Sequence, residues 1–105
     1  MKIYFERSGG LAGTNDRIAL DTGSMPADEG ERVQQLVDSS NFFNLPSKSA
    51  PPRPGSADYF HYKITVQTDG GKEHEIRTND ITIPPELEPL LNFLEQKVQS
   101  AKKMP

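Results

Sequence analysis

The residues able to do chemistry in this 105-residue chain are few, and most are badly placed for it. There are no cysteines, so disulfides, thiolate metal sites and a Cys nucleophile are excluded. A metal site would have to use the two histidines, His61 and His74. They lie on two segments that read as one hairpin. With a three-residue loop at Asp69-Gly70-Gly71, Ile64 faces Ile76 and Val66 faces His74. His74 then points with the apolar set, as a cap on the core, and His61 points the other way, to the surface. The two imidazoles cannot share an ion. No Gly-x-Ser-x-Gly elbow marks a serine nucleophile. Ser8 to Thr14, SGGLAGT, has the glycines of a phosphate loop but no following Lys-Ser/Thr, and it sits between two strands.

Two segments remain unusual. Gly9, Gly10 and Gly13 surround Leu11 and Ala12, which puts an aliphatic side chain on a hairpin tip with no duty in the core. Thr78 to Pro85, TNDITIPP, places Asp80 beside Ile81 and then Ile83, in a stretch expected to be a polar connector. The plain alternatives are an ordinary hairpin tip, and isoleucines that close the edge of the core. If the first and fourth strands run in the same direction, both segments fall at one end of the sheet. A mobile apolar tip beside a loop acid then makes a protein-binding edge.

The elements that must position these residues follow from periodicity. Lys2 to Arg7 alternates with Ile3 and Phe5 inward, and Arg17 to Thr22 with Ile18 and Leu20 inward, giving a hairpin with a wide tip over Ser8–Asn15. Pro26 opens a helix with Asp28, Glu29 and Glu31 in its first turns and Val33, Leu36 and Val37 as its stripe. Phe42, Phe43 and Leu45 anchor its exit. Residues 46–57 hold four of the nine prolines and no large apolar side chain. Pro51-Pro52-Arg53-Pro54 fits a proline-rich ligand, but a stiff exposed loop is the favoured reading. Tyr59–Thr68 and Lys72–Thr78 form the second hairpin. Leu87, Leu90, Leu91, Leu94 and Val98 make the stripe of a last helix that starts near Glu86, with residues 101–105 expected to fray. The order ββαββα predicts an α+β fold in a single domain over 1–105, a four-stranded antiparallel sheet with both helices on one face.

Composition bounds the partners. The formal net charge is −3, which argues against a nucleic-acid footprint. No apolar run approaches the ~18 residues of a membrane span, and the start lacks the apolar segment of a signal peptide. The expectation is a cytoplasmic protein without cofactor, monomeric when free, and not an enzyme.

Several motifs together resemble the emfourin family. They are Phe5-Glu6-Arg7-Ser8-Gly9-Gly10-Leu11-Ala12-Gly13, Leu20-Asp21-Thr22, Phe42-Phe43-Asn44-Leu45-Pro46, Asp58-Tyr59-Phe60-His61-Tyr62, Asp69-Gly70-Gly71, and Pro84-Pro85-Glu86-Leu87-Glu88-Pro89-Leu90-Leu91. Emfourins are small bacterial inhibitors of protealysin-like metalloproteases, in the thermolysin family. The resemblance implies two neighbouring loops, one offering an aspartate to the protease zinc and the other filling its substrate pockets. Carried onto this chain, the apolar arm is Gly9, Gly10, Leu11, Ala12 and Gly13, with Leu11 where a larger aromatic is common. The other arm carries the acid. Asp16, Asp58, Asp69 and Asp80 are the loop candidates; Asp80, with Ile81 beside it, is the first choice and Asp58 the second. The alternative is a non-catalytic interaction module of the same fold with a different partner.

Overall fold

A computed structural model describes residues 1–9, 14–47 and 59–103. Four strands, β1 (Lys2–Gly9), β2 (Thr14–Asp21), β3 (Phe60–Gln67) and β4 (Glu73–Asn79), join in the order β2-β1-β3-β4, every pair antiparallel. Two helices, α1 (Ala27–Ser39) and α2 (Glu88–Lys103), complete the ββαββα order. This is the α+β fold expected from the sequence.

Register follows from side-chain parity. The turn at Asp69-Gly70-Gly71 is closed by Thr68 N–H donating to Lys72 O (2.8 Å) and Gly71 N–H to Thr68 O (3.0 Å). Gly71 takes φ +88°, a left-handed conformation that costs glycine little. Ile64 therefore faces Ile76 and Val66 faces His74. Continued across the sheet, the inner face carries the ranks Leu20–Ile3–Val66–His74 and Ile18–Phe5–Ile64–Ile76. Their central members are fully buried. Ile18 and Leu20, expected in the core, are only half-buried because β2 is an edge strand. Leu36 and Phe60 are also half-buried.

The helices cover this face. Pro26 stands at the N-cap of α1, with Asp28 and Glu29 in the first turn, where the helix dipole favours acids. Val33 and Val37 are buried. Beyond Ser40, Asn41 takes φ 56° and turns the chain so that Phe42 enters the core. Against it lies His74, its ring 5.6 Å from that of Phe42, with Nε2 donating to Leu45 O at 2.8 Å. A carbonyl only accepts, so Nε2 carries the proton. His74 is a core cap, and His61 is exposed on the other side of the sheet, as their register requires.

α2 begins later than Glu86. A 3-10 turn over Pro85–Leu87 leads into it, and Pro89 then falls in the first α turn, where its missing N–H has no helical partner to lose. Leu87, Leu90, Leu91, Leu94 and Val98 are all buried. The helix includes residues 101–103, which the sequence reading assigned to a frayed tail. Lys97 pairs with Glu29 and ties α2 to α1.

The opposite face is open. Glu6 lies between Arg17 and Lys63, each at 2.8 Å. The hydrogen bond and charge of Lys63, aided by Arg17, hold the Glu6 carboxyl below its usual range. Exposed pairs of this kind add little stability; they keep a flat sheet face solvated.

Candidate functional site

Antiparallel pairing on both sides of β3 makes β1 and β4 run in the same direction. The loop after β1 and the loop after β4 therefore leave from one end of the sheet. Phe60, the first residue of β3, joins them. Gly9 pairs with Phe60 on one side, and Asp80 N–H donates to Phe60 O at 3.2 Å on the other. Two strand spacings separate the loop bases, about 10 Å. The conditional expectation of a shared end is met.

Beneath this end the inner face turns polar. The third rank is Asp16–Arg7–Tyr62–Thr78. Arg7 is 8% exposed, and its Nη2 donates to Asp16 Oδ2 at 2.9 Å. Its guanidinium lies over the Phe60 ring at 5.1 Å. Its Nε has no hydrogen-bond partner among the described residues. Tyr62 stacks between Phe5 (6.0 Å) and Phe60 (6.3 Å). Burial, and then the hydrogen bond and charge of Glu95 from α2, push its phenol well above the ordinary value. Phe60 thus rests on Arg7 and Tyr62, which braces the residue that both loops share.

Gly9 ends β1 with φ +100°, and a Cβ built on it would lie 2.8 Å from Tyr59 O. The backbones of β1 and the start of β3 approach closely there, and only glycine fits. The strands also run further than the sequence suggested. Ser8 and Gly9 on one side pair with Asn15 and Thr14 on the other, so the tip is shorter than Ser8–Asn15. Pairing with β3 overrides the loop-like composition. Gly10, Leu11, Ala12 and Gly13 of the expected apolar arm, and the acid Asp58, lie outside the described residues, as does most of the 46–57 proline loop.

The other arm is described in full. Asp80 is exposed and Ile81 is 53% exposed, while Ile83 packs against the core. One isoleucine therefore closes the core edge and the other faces out. The Asp80 carboxylate has no hydrogen-bond or ion-pair partner among the described residues. The other two loop acids among the described residues are committed. Asp16 holds Arg7, and Asp69, at the far end of the sheet, binds the Met1 ammonium at 2.7 Å. That contact lowers the Asp69 carboxyl below its usual range.

Asn79 was not singled out by sequence reasoning. Its Oδ1 accepts from Ile81 N–H (2.9 Å) and Thr82 N–H (2.8 Å), closing the turn behind Asp80. The available signal was an asparagine at the end of an alternating strand, a residue type that bonds its own backbone two residues on.

Open grooves also lie elsewhere among the described residues. One, of about 620 Å³, lies on the open sheet face around Tyr4, Glu6 and Lys63; another, of about 610 Å³, lies beside α2 around Arg7, Glu95 and Gln99. Among the described residues no three His, Asp or Glu converge to hold an ion, and no described helix is long and apolar enough to cross a membrane.

No curated protein and no solved structure matches this chain. The emfourin sequence pattern does, over residues 5–95, a span that holds β1 from Phe5 onward, β2, β3, β4, α1 and the buried stripe of α2 up to Leu94. The chain belongs to the emfourin family.

Proposed function

We propose that this chain inhibits a zinc metalloprotease of the thermolysin family, protealysin-like in kind, and has no catalysis of its own. Asp80 coordinates the protease zinc. Gly9, Gly10, Leu11, Ala12 and Gly13 fill the substrate pockets beside it, with Ile81 in contact next to the metal. The observation that carries this reading is the shared rank at Phe60. It sets two loops about 10 Å apart at one end of a braced sheet, and the acid in one of them has no hydrogen-bond or ion-pair partner among the described residues. A catalytic zinc of this class has three protein ligands and one open position, normally held by water. A carboxylate that occupies that position displaces the attacking nucleophile, so hydrolysis stops without any reaction of the inhibitor. Family membership supports the same reading.

A fluorogenic peptide assay with a thermolysin-family protease tests it. Activity should fall to zero at near-stoichiometric inhibitor. Losing one charged partner across a desolvated contact costs about 2–5 kcal/mol, so Asp80→Asn should inhibit roughly 30-fold or more weakly, with an unchanged melting temperature. A wild-type chain that leaves such proteases fully active would instead support an interaction module with another partner. Normal inhibition by Asp80→Asn and Asp80→Ala, with loss in Asp58→Ala, would move the metal ligand to Asp58.

A further inference from the structure

The loop that carries Asp80 is held from behind. Asn79 closes β4 and is 5% exposed. Its Oδ1 accepts the N–H groups of Ile81 and Thr82, at 2.9 and 2.8 Å. The N–H of Asp80 itself donates to Phe60 O at 3.2 Å. Three successive backbone N–H groups are therefore committed within the fold, and the exposed Asp80 side chain is the part left over. The connector is a closed turn fixed at its root.

We propose that Asn79 is a positioning residue for the Asp80 carboxylate, setting the 80–82 turn in its binding shape before a protease arrives. The inference rests on reading Asp80 as the zinc-directed acid. Its physical basis is entropy. Each backbone residue ordered at the moment of binding costs about 1–2 kcal/mol, and a turn closed in the free protein has already met that cost. An amide also suits the position. Its carbonyl oxygen has two lone pairs and accepts both N–H groups at once. Groups that orient a metal ligand without touching the metal commonly matter 10- to 100-fold.

The test compares wild type, Asn79→Ala and Asn79→Asp, each also in an Asp80→Asn background. Amide hydrogen exchange at Ile81 and Thr82 is read in the free proteins, and inhibition of thermolysin is read by peptide hydrolysis. Asn79→Ala should speed exchange at both amides and weaken inhibition about 10- to 100-fold. Asn79→Asp, whose carboxylate accepts the same two N–H groups, should recover most of both. In the Asp80→Asn background Asn79→Ala should add less than about 3-fold, because the group it positions is already gone. A purely structural role would leave its penalty undiminished there, and that result overturns the proposal. So does Asn79→Ala that inhibits like wild type, or unchanged exchange at Ile81 and Thr82. A wild-type chain that does not inhibit brings down the inhibitor reading as well. An inhibiting wild type with an indifferent Asn79→Ala overturns the positioning role alone.

Discussion

Replacing Gly9 by alanine probes the joint on which both loops depend. Gly9 and Gly71 both hold positive φ, +100° and +88°, so alanine at either meets the same kind of backbone strain, about 1–3 kcal/mol. Their surroundings differ. At Gly71 an added Cβ meets nothing within 4 Å, whereas at Gly9 it lies 2.8 Å from Tyr59 O, inside any normal contact distance. The obstacle is backbone, so it yields only if β1 and β3 separate locally. Overpacking of that kind adds about 1–3 kcal/mol. At roughly 4–8 °C per kcal/mol for a domain near this size, Gly9→Ala should melt about 5–20 °C below Gly71→Ala. Thermal unfolding followed by far-UV circular dichroism reads the difference. Gly9→Ala should also inhibit less well than Gly71→Ala, whose site lies at the other end of the sheet. Equal melting temperatures would refute the close approach of Gly9 to Tyr59, and with it the joint at Phe60.

Three further outcomes are expected. Asp16→Ala leaves the Arg7 guanidinium buried without its counter-charge, and should cost about 3–5 kcal/mol in denaturant unfolding, more than Arg7→Met, which removes the charge itself. Tyr62 has a raised phenol pKa in the folded state, so the fold binds more protons than the unfolded chain above about pH 10. Its contribution to stability is complete below that value and is lost as pH rises beyond it; urea midpoints should fall in that window for wild type more steeply than for Tyr62→Phe. Leu11→Asp should abolish inhibition with no change in melting temperature, because a carboxylate entering an apolar protease pocket is costly to desolvate.

Much of the fold was legible because side-chain parity is a strict signal. Phe60, Tyr62, Ile64 and Val66 alternate without a break. The three-residue turn then fixed which side of β4 faced the helices, and so placed His61 and His74 on opposite faces. Strand ends were less legible. Ser8, Gly9, Asn15 and Asp16 have loop-like composition, and only pairing between β1, β2 and β3 makes them strand. Half-burial of Ile18 and Leu20 depended on β2 lying at an edge, which element order alone does not determine. In the candidate site, Asp80 and Ile81 stood out by type. Asn79 did not, because its role lies in two backbone hydrogen bonds that local composition does not display. The Arg7–Phe60–Tyr62 stack was hidden for a similar reason. An arginine at the end of an apolar alternation reads as the end of the core, not as a buried brace under the next rank.

The claim that a loop aspartate fills the open position of a protease zinc is tested most directly at the metal. Zinc in a thermolysin-family protease is replaced by cobalt(II), whose visible absorption reports its ligands, and the spectrum is followed as inhibitor is added. Wild type should change the spectrum up to one equivalent and then no further. Asp80→Asn, added at concentrations where complex formation is independently verified, should leave the spectrum close to that of the free enzyme. An inhibited complex whose cobalt spectrum matches the free enzyme's, or an Asp80→Asn complex with the full wild-type change, would contradict the account.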